Sequence, residues 1–339
     1  MGIRKVSRHT RSSSAAMLVG VVLSLPLGAK GAVTTEILSA LAPAGDFGLA
    51  VPDCPGDATA IAGGTDVDNV LLMSVTSSSP WFNGNRLINT PDGAAGAPTG
   101  WYGAARNNQV STAGLAVGAL CTKDFPVTSV VASSTAFAGS ISGAIAMCPL
   151  GSVAIAGGVD LDNVLTMTVT ADAPYFAGSG RLLATADGSP AAPVGWAGYA
   201  RNDDVSDHPI KVAAICSSAV SPTVLVQSTT VPSGSFAGVN LTCPLGTNAI
   251  GGGVDLNNVF TMKVTSMAPL FPGTSFLLQQ PDGDGPAPIG WSGYARSDDV
   301  SPQAIKVAAI CVPEPDAALA GLAASVALAC LGATRRRSR

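Results

Sequence analysis

From Leu165 the chain reads LTMTVT, so that Leu165, Met167 and Val169 fall on one face and Thr166, Thr168 and Thr170 on the other. Alternation with a period of two is the signature of a β-strand, and it turns the first set toward a core. The pattern recurs as Phe260, Met262 and Val264 against Thr261, Lys263 and Thr265, and again as Leu71, Met73 and Val75. Further strands are predicted before a Gly-Gly pair (Ala154 to Ala156), from Trp196 to Arg201, and from Ile210 to Cys216. Pro80, Asp92-Gly93, Asp187-Gly188 and Asp282-Gly283 supply the turns between them. Such a string of short strands predicts an all-β fold of antiparallel, sandwich-like units with about five strands each.

Three copies of one unit are visible. Each opens on a Cys-Pro pair, passes through GGxDxxNV (from Gly63, Gly157 and Gly252), and ends on a GWxGxAR-like stretch and a second cysteine. Trp101, Trp196 and Trp291 lie 95 residues apart, which sets the period. The repeats are read as residues 32–125, 126–218 and 219–311. A period this long exceeds that of ordinary solenoid repeats, so each copy reads as a small domain in preference to one lobe of a pseudo-threefold assembly. Cys54, Cys148 and Cys243 open the copies and Cys121, Cys216 and Cys311 close them. One disulfide within each copy is the simplest pairing in an oxidising compartment. The rival pairs Cys121 with Cys148, Cys216 with Cys243 and Cys54 with Cys311. Closing a loop of this length stabilises by about 4 kcal/mol in the chain-entropy model. Cys330 lies outside the repeats and is expected to stay unpaired.

Both ends differ from the repeats. Residues 1–31 carry Arg4, Lys5, Arg8 and Arg11, then the apolar run AAMLVGVVLSLPLGA, then small residues. That is the layout of a secretory signal peptide, and the apolar run is short for a membrane span. Residues 312–339 contain Pro313-Glu314-Pro315, an apolar Ala/Leu run predicted to be a single hydrophobic helix, and Arg335, Arg336, Arg337 and Arg339. This tail resembles the PEP-CTERM sorting signal of Gram-negative bacteria in order, spacing and position. The resemblance implies recognition by an exosortase-like processing enzyme, transient anchoring in the inner membrane through the tail helix, and an organism with an extracellular polysaccharide matrix. It covers the tail alone and is silent on the repeats.

Removing both ends changes the electrostatics. The whole chain has a formal net charge of −4, but between Ala32 and Val312 nine basic residues face twenty acidic ones, a net −11. With no basic cluster in that segment, nucleic acid is not expected as a partner. Acidity suits an exported protein or a divalent-cation binder.

Chemistry is sparse. In GGxDxxNV the glycines are expected to end a strand, with Asp160 and Asn163 capping the turn. The second reading is calcium, with Asp66, Asp68, Asp160, Asp162 and Asp255 as hard oxygen ligands, although Asn257 replaces one acid and no copy has a twelve-residue loop ending in Glu. Arg106, Arg201 and Arg296 follow each tryptophan by five residues and are expected to pair with Asp66, Asp160 or Asp255. A candidate ligand face joins Trp101, Arg106, Trp196, Tyr199, Arg201, Trp291, Tyr294 and Arg296 as a sugar platform, against plain core packing of the tryptophans. His208 is the one histidine of the repeats and Glu36 their one glutamate, so a repeated Ser-His-Asp or Cys-His site is excluded. The expectation is an exported, non-enzymatic protein of the cell surface or extracellular matrix, without a cofactor unless calcium binds, associating with exopolysaccharide. An aspartate-based carbohydrate-active enzyme and a calcium-dependent adhesin are the alternatives.

Overall fold

The computed structural model describes residues 33–273 and 276–314. The first repeat forms β1 (Thr34–Ala42), β2 (Phe47–Ala50), β3 (Thr59–Val67), β4 (Met73–Trp81), β5 (Gly93–Ala95), β6 (Gly100–Asn107) and β7 (Ala113–Thr122). The second forms β8 (Thr128–Ala136), β9 (Ile141–Met147), β10 (Val153–Leu161), β11 (Met167–Tyr175), β12 (Gly195–Asn202) and β13 (His208–Ser217). The third forms β14 (Thr223–Val231), β15 (Phe236–Thr242), β16 (Thr247–Leu256), β17 (Met262–Leu270), β18 (Gly283–Gly285), β19 (Gly290–Ser297) and β20 (Gln303–Pro313). The expected all-β, antiparallel class is what the chain adopts. Among the described residues there is no α-helix and hence none long and apolar enough to cross a membrane. The expected signal peptide, tail helix, Pro315, Cys330 and terminal arginines lie outside the described residues.

Within a repeat the strands form two three-stranded halves that face each other. In the first, β1-β7-β3 is one half and β2-β6-β4 the other, with Trp101 of β6 lying flat on Gly63 of β3. The halves do not stay within their repeat. β3 bonds to β17 through Thr65 and Met267, β10 to β4 through Val159 and Ser78, and β16 to β11 through Asp255 with Ala171 and Val254 with Asp172. Three sheets result, ordered β15-β19-β17-β3-β7-β1-β18, β2-β6-β4-β10-β13-β8-β5 and β14-β20-β16-β11-β12-β9, and each joins halves of two repeats. The joins are cyclic: first to second, second to third, third back to first. Residues of all three repeats, including Trp101, Trp196 and Trp291, share one apolar core. The preference for one separate small domain per copy is therefore corrected: each copy is a sandwich whose sheets continue into its neighbours.

The cyclic join explains the Gly-Gly pair. β3, β10 and β16 run on through it, and none of these glycines has a positive φ, so the expectation that the pair ends a strand is corrected. The first glycine admits the tryptophan: a Cβ on Gly157 would lie 2.2 Å from Trp196 Cγ. The second admits the neighbouring repeat, since a Cβ on Gly158 would lie 2.4 Å from the Ser78 carbonyl oxygen. Gly64 and Gly253 meet the backbones of Met267 and Asp172 in the same way.

The disulfides are Cys54–Cys121, Cys148–Cys216 and Cys243–Cys311, one in each copy as expected. Leu71, Leu165 and Phe260 are corrected from core to surface, at 41%, 42% and 63% exposure. They precede β4, β11 and β17, in turns held by Asn69, Asn163 and Asn258, whose side-chain oxygens accept from the backbone N–H two residues on. The threonine face is buried as well, Thr168 and Thr170 included, because the outer side of β11 packs against neighbouring repeats.

Candidate functional site

The repeats meet at three seams. Between the first and second, Asp160 at the end of β10 is buried and accepts from Arg86 (Nη2 to Oδ1 2.6 Å, Nε to Oδ2 3.3 Å), Ser77 Oγ (2.9 Å) and the Ile88 N–H (2.9 Å). The Arg86 guanidinium stacks on Tyr102, 4.6 Å from the ring centroid. Between the second and third, Arg181 makes the equivalent bidentate pair with Asp255 and stacks on Tyr199 at 4.5 Å. Burial pushes the Asp255 carboxyl up, against the opposing pull of Arg181. Lys211 and Lys306 reinforce these seams, each donating across to a carbonyl (Thr90, Thr185) and facing an aspartate (Asp92 at 3.3 Å, Asp187 at 3.4 Å).

The third seam, between the third and first repeats, departs from the pattern. Phe276 stands in the place of Arg86 and Arg181, and Ala116 in that of Lys211 and Lys306. Asp66 there accepts from Ser266 Oγ (2.7 Å), the Val67 N–H (3.0 Å) and the Leu278 N–H (3.3 Å), and burial pushes its carboxyl up.

The expected partners of Arg106, Arg201 and Arg296 are corrected. Their guanidiniums do not reach Asp66, Asp160 or Asp255. Each instead donates to the turn carbonyl of the next repeat, Arg106 to Leu165, Arg201 to Phe260 and Arg296 to Leu71, closing a cyclic ring. Two residues on, Asn108, Asp203 and Asp298 accept from the same guanidiniums. The three arginines are close enough that, after burial, Arg201 and Arg296 help push the Arg106 pKa down. Lys263 lies directly opposite Arg296 in the β17–β19 ladder, and burial followed by Arg296 lowers its pKa too. Like charges opposite each other in a ladder are unfavourable, and Asp298, 3.4 Å from Lys263 Nζ, offsets part of the repulsion. Four of the nine basic residues between Ala32 and Val312 thus gather with two carboxylates, where the first repeat has Asn108 in place of a third.

The tryptophans form no platform. Trp101, Trp196 and Trp291 are 0–1% exposed, so the part of the candidate ligand face that rests on them is corrected to core packing. Tyr199 and Tyr294 are partly buried at the seams. Trp196 donates to Asp172, a wholly buried carboxyl that burial pushes well up, against the Trp196 donor. A raised carboxyl binds protons more tightly when folded, so Asp172 lowers stability as pH rises from its unfolded value, about 4, toward its folded one. Asp172→Asn keeps an acceptor without the charge. Across that window the variant should gain on the wild type by up to about 1.4 kcal/mol per pH unit in urea unfolding. A pH-independent difference would refute this assignment.

The calcium candidates take protein donors. Asp68 accepts from the Gly114 N–H at 2.8 Å, and Asp162 lies 3.1 Å from His208, whose other ring nitrogen is 2.8 Å from Asp204. Asp160 does not cap its turn; that role falls to Asn163 alone. Among the described residues no three His, Cys, Asp or Glu side chains are grouped to hold a metal. Asp204 and then Asp162 raise the His208 pKa. His208 has no counterpart in the other copies, where Ala113 and Gln303 occupy its place.

Sequence reasoning missed Arg86 and Arg181. They also lie 95 residues apart, each followed by a leucine, and that spacing was the available signal. No protein-family model matches the sequence, and no curated protein matches it. Among solved structures it is similar to a chain from "The Triple Jelly Roll Fold and Turret Assembly in an Archaeal Virus" (10% identity, 84% of this chain and 90% of that chain covered, TM-score 0.16). A chain of Sulfolobus Turreted Icosahedral Virus is comparable (8% identity, 83% and 90% covered, TM-score 0.15), and likeness at this level carries no argument.

Proposed function

We propose that this protein is an exported, non-enzymatic component of the cell surface or extracellular matrix, sorted through its PEP-CTERM-like tail and bound to anionic polysaccharide by the arginine ring. The observation that carries the binding role is the ring of Arg106, Arg201 and Arg296, one from each repeat and each donating to a turn of the next, with Lys263 opposite Arg296 in its ladder. In a segment of net charge −11 this spot carries more cations than carboxylates. Guanidiniums match carboxylate and sulfate groups geometrically. Phe260, exposed where the other copies have leucines, gives a sugar ring an apolar face to rest on. The three disulfides support the exported location.

The test is retention of the folded protein on immobilised polyuronate and on neutral dextran, in low and high salt, with calcium and with EDTA. Expected is retention on polyuronate alone, weakened by salt as an electrostatic contact must be, and unaffected by EDTA. The double variant Asn108→Asp with Lys263→Thr, each position taking the residue found in the second repeat, should bind at least about tenfold more weakly, the equivalent of 1.4 kcal/mol. Retention on neither matrix would refute the reading, and loss in EDTA would replace it with the calcium-dependent adhesin.

A further inference from the structure

The third seam holds a cavity where the other two hold an arginine. At the first two seams a guanidinium fills the space between a buried aspartate and the face of a tyrosine: Arg86 between Asp160 and Tyr102, Arg181 between Asp255 and Tyr199. At the third, the aspartate (Asp66) and the tyrosine (Tyr294) are both present, but the arginine position is Phe276. Its ring leans on Tyr294, with 5.6 Å between centroids, and cannot reach the carboxylate with a donor. A cavity of about 380 Å³ remains, lined by Asp66, Asp68, Phe236, Phe276, Leu278 and Tyr294 among others. Its described lining includes two carboxylates and three aromatic rings, and no lysine or arginine.

We infer that this cavity binds a guanidinium group presented by a ligand, in the place that Arg86 and Arg181 occupy at the sister seams. The two sister seams are internal precedents: the aspartate position is the same in all three, and the stacking tyrosine is Tyr199, at the position of Tyr294, in the second and Tyr102, two residues nearer its tryptophan, in the first. Planar guanidinium suits both neighbours: it pairs with a carboxylate edge-on and stacks on an aromatic face. Asp68, on the rim, adds a second negative charge. An ammonium group would satisfy the charge but would neither bond bidentately nor stack as a plane. The site is separate from the arginine ring, so either proposal can fail without the other.

The experiment is calorimetric titration of the intact, disulfide-bonded protein with n-butylguanidine, which is the arginine side chain together with its Cα. n-Pentylamine serves as the ammonium comparator, and a short acetylated peptide containing one arginine tests whether the source is a protein side chain. Saturable binding of one butylguanidine per chain is expected, with pentylamine at least tenfold weaker. Phe276→Arg, which takes the residue of both sister repeats, should fold, melt no lower than the wild type, and lose butylguanidine binding at least tenfold. Asp66→Asn should lose it as well, which keeps the inference testable if either variant folds poorly. Peptide binding that Phe276→Arg abolishes would assign the source to a partner protein; butylguanidine binding without peptide binding would assign it to a small molecule. No saturable binding to the wild type, equal affinity for pentylamine, or binding undiminished in Phe276→Arg would overturn the inference.

Discussion

Arg86→Ala is expected to cost about 3 kcal/mol or more, lowering Tm by roughly 6–12 °C. The cost comes from what is left behind. Asp160 is buried, and without the guanidinium its charge keeps only the Ser77 hydroxyl and backbone donors. Removing one partner of a buried ion pair leaves an uncompensated charge and costs far more than the pair itself is worth. The third seam supplies the internal contrast: Phe276→Ala removes packing but no countercharge, and should cost less. Thermal unfolding of both variants decides the matter. An Arg86→Ala loss below 1 kcal/mol would mean that the Arg–Asp pair does not hold the seam.

Gly158→Ala should be nearly as damaging, at roughly 3 kcal/mol, the upper part of the range for overpacked sites. An added Cβ would lie 2.4 Å from the Ser78 carbonyl oxygen and 2.6 Å from Ser79 Cα, and both are backbone atoms of the neighbouring repeat. Neither can move aside as a side-chain tip could, so the β10–β4 join itself must open. Gly96→Ala is the control, because its Cβ would meet nothing within 4 Å and the change should stay within about 0.5 kcal/mol. Equal effects in the two variants, measured by urea unfolding, would refute the packing role assigned to the second glycine.

These two cases mark what could be read from the chain and what could not. The strand class and the within-copy disulfides were legible because each is a property of one copy, and the 95-residue period because the copies repeat the same motifs at the same spacing. The cyclic joins were not. They bury the outer faces of β4, β11 and β17, and those faces are built of small Ser and Thr residues that read as solvent-facing in an alternation pattern. Gly-Gly read as a turn because a glycine required for close approach looks the same in sequence as one required for positive φ. The carboxylates of GGxD were recognised as special, but Arg106, Arg201 and Arg296 were expected as their partners. Arg86 and Arg181 come from the preceding copy, 74 residues away, and Phe276 hides the threefold pattern that would have exposed them. Convergence of Arg106, Arg201 and Arg296 likewise exists only once the three copies close on one another.

Both proposed sites depend on that closure, and therefore on cooperative folding of the three repeats. Differential scanning calorimetry of the intact, disulfide-bonded protein tests it directly through the ratio of calorimetric to van't Hoff enthalpy. One body with continuous sheets and a shared core predicts a single transition and a ratio of about 1. A ratio of about 3, or three resolved transitions, would mean that the copies unfold as separate domains, and the ring and the seams would lose their foundation.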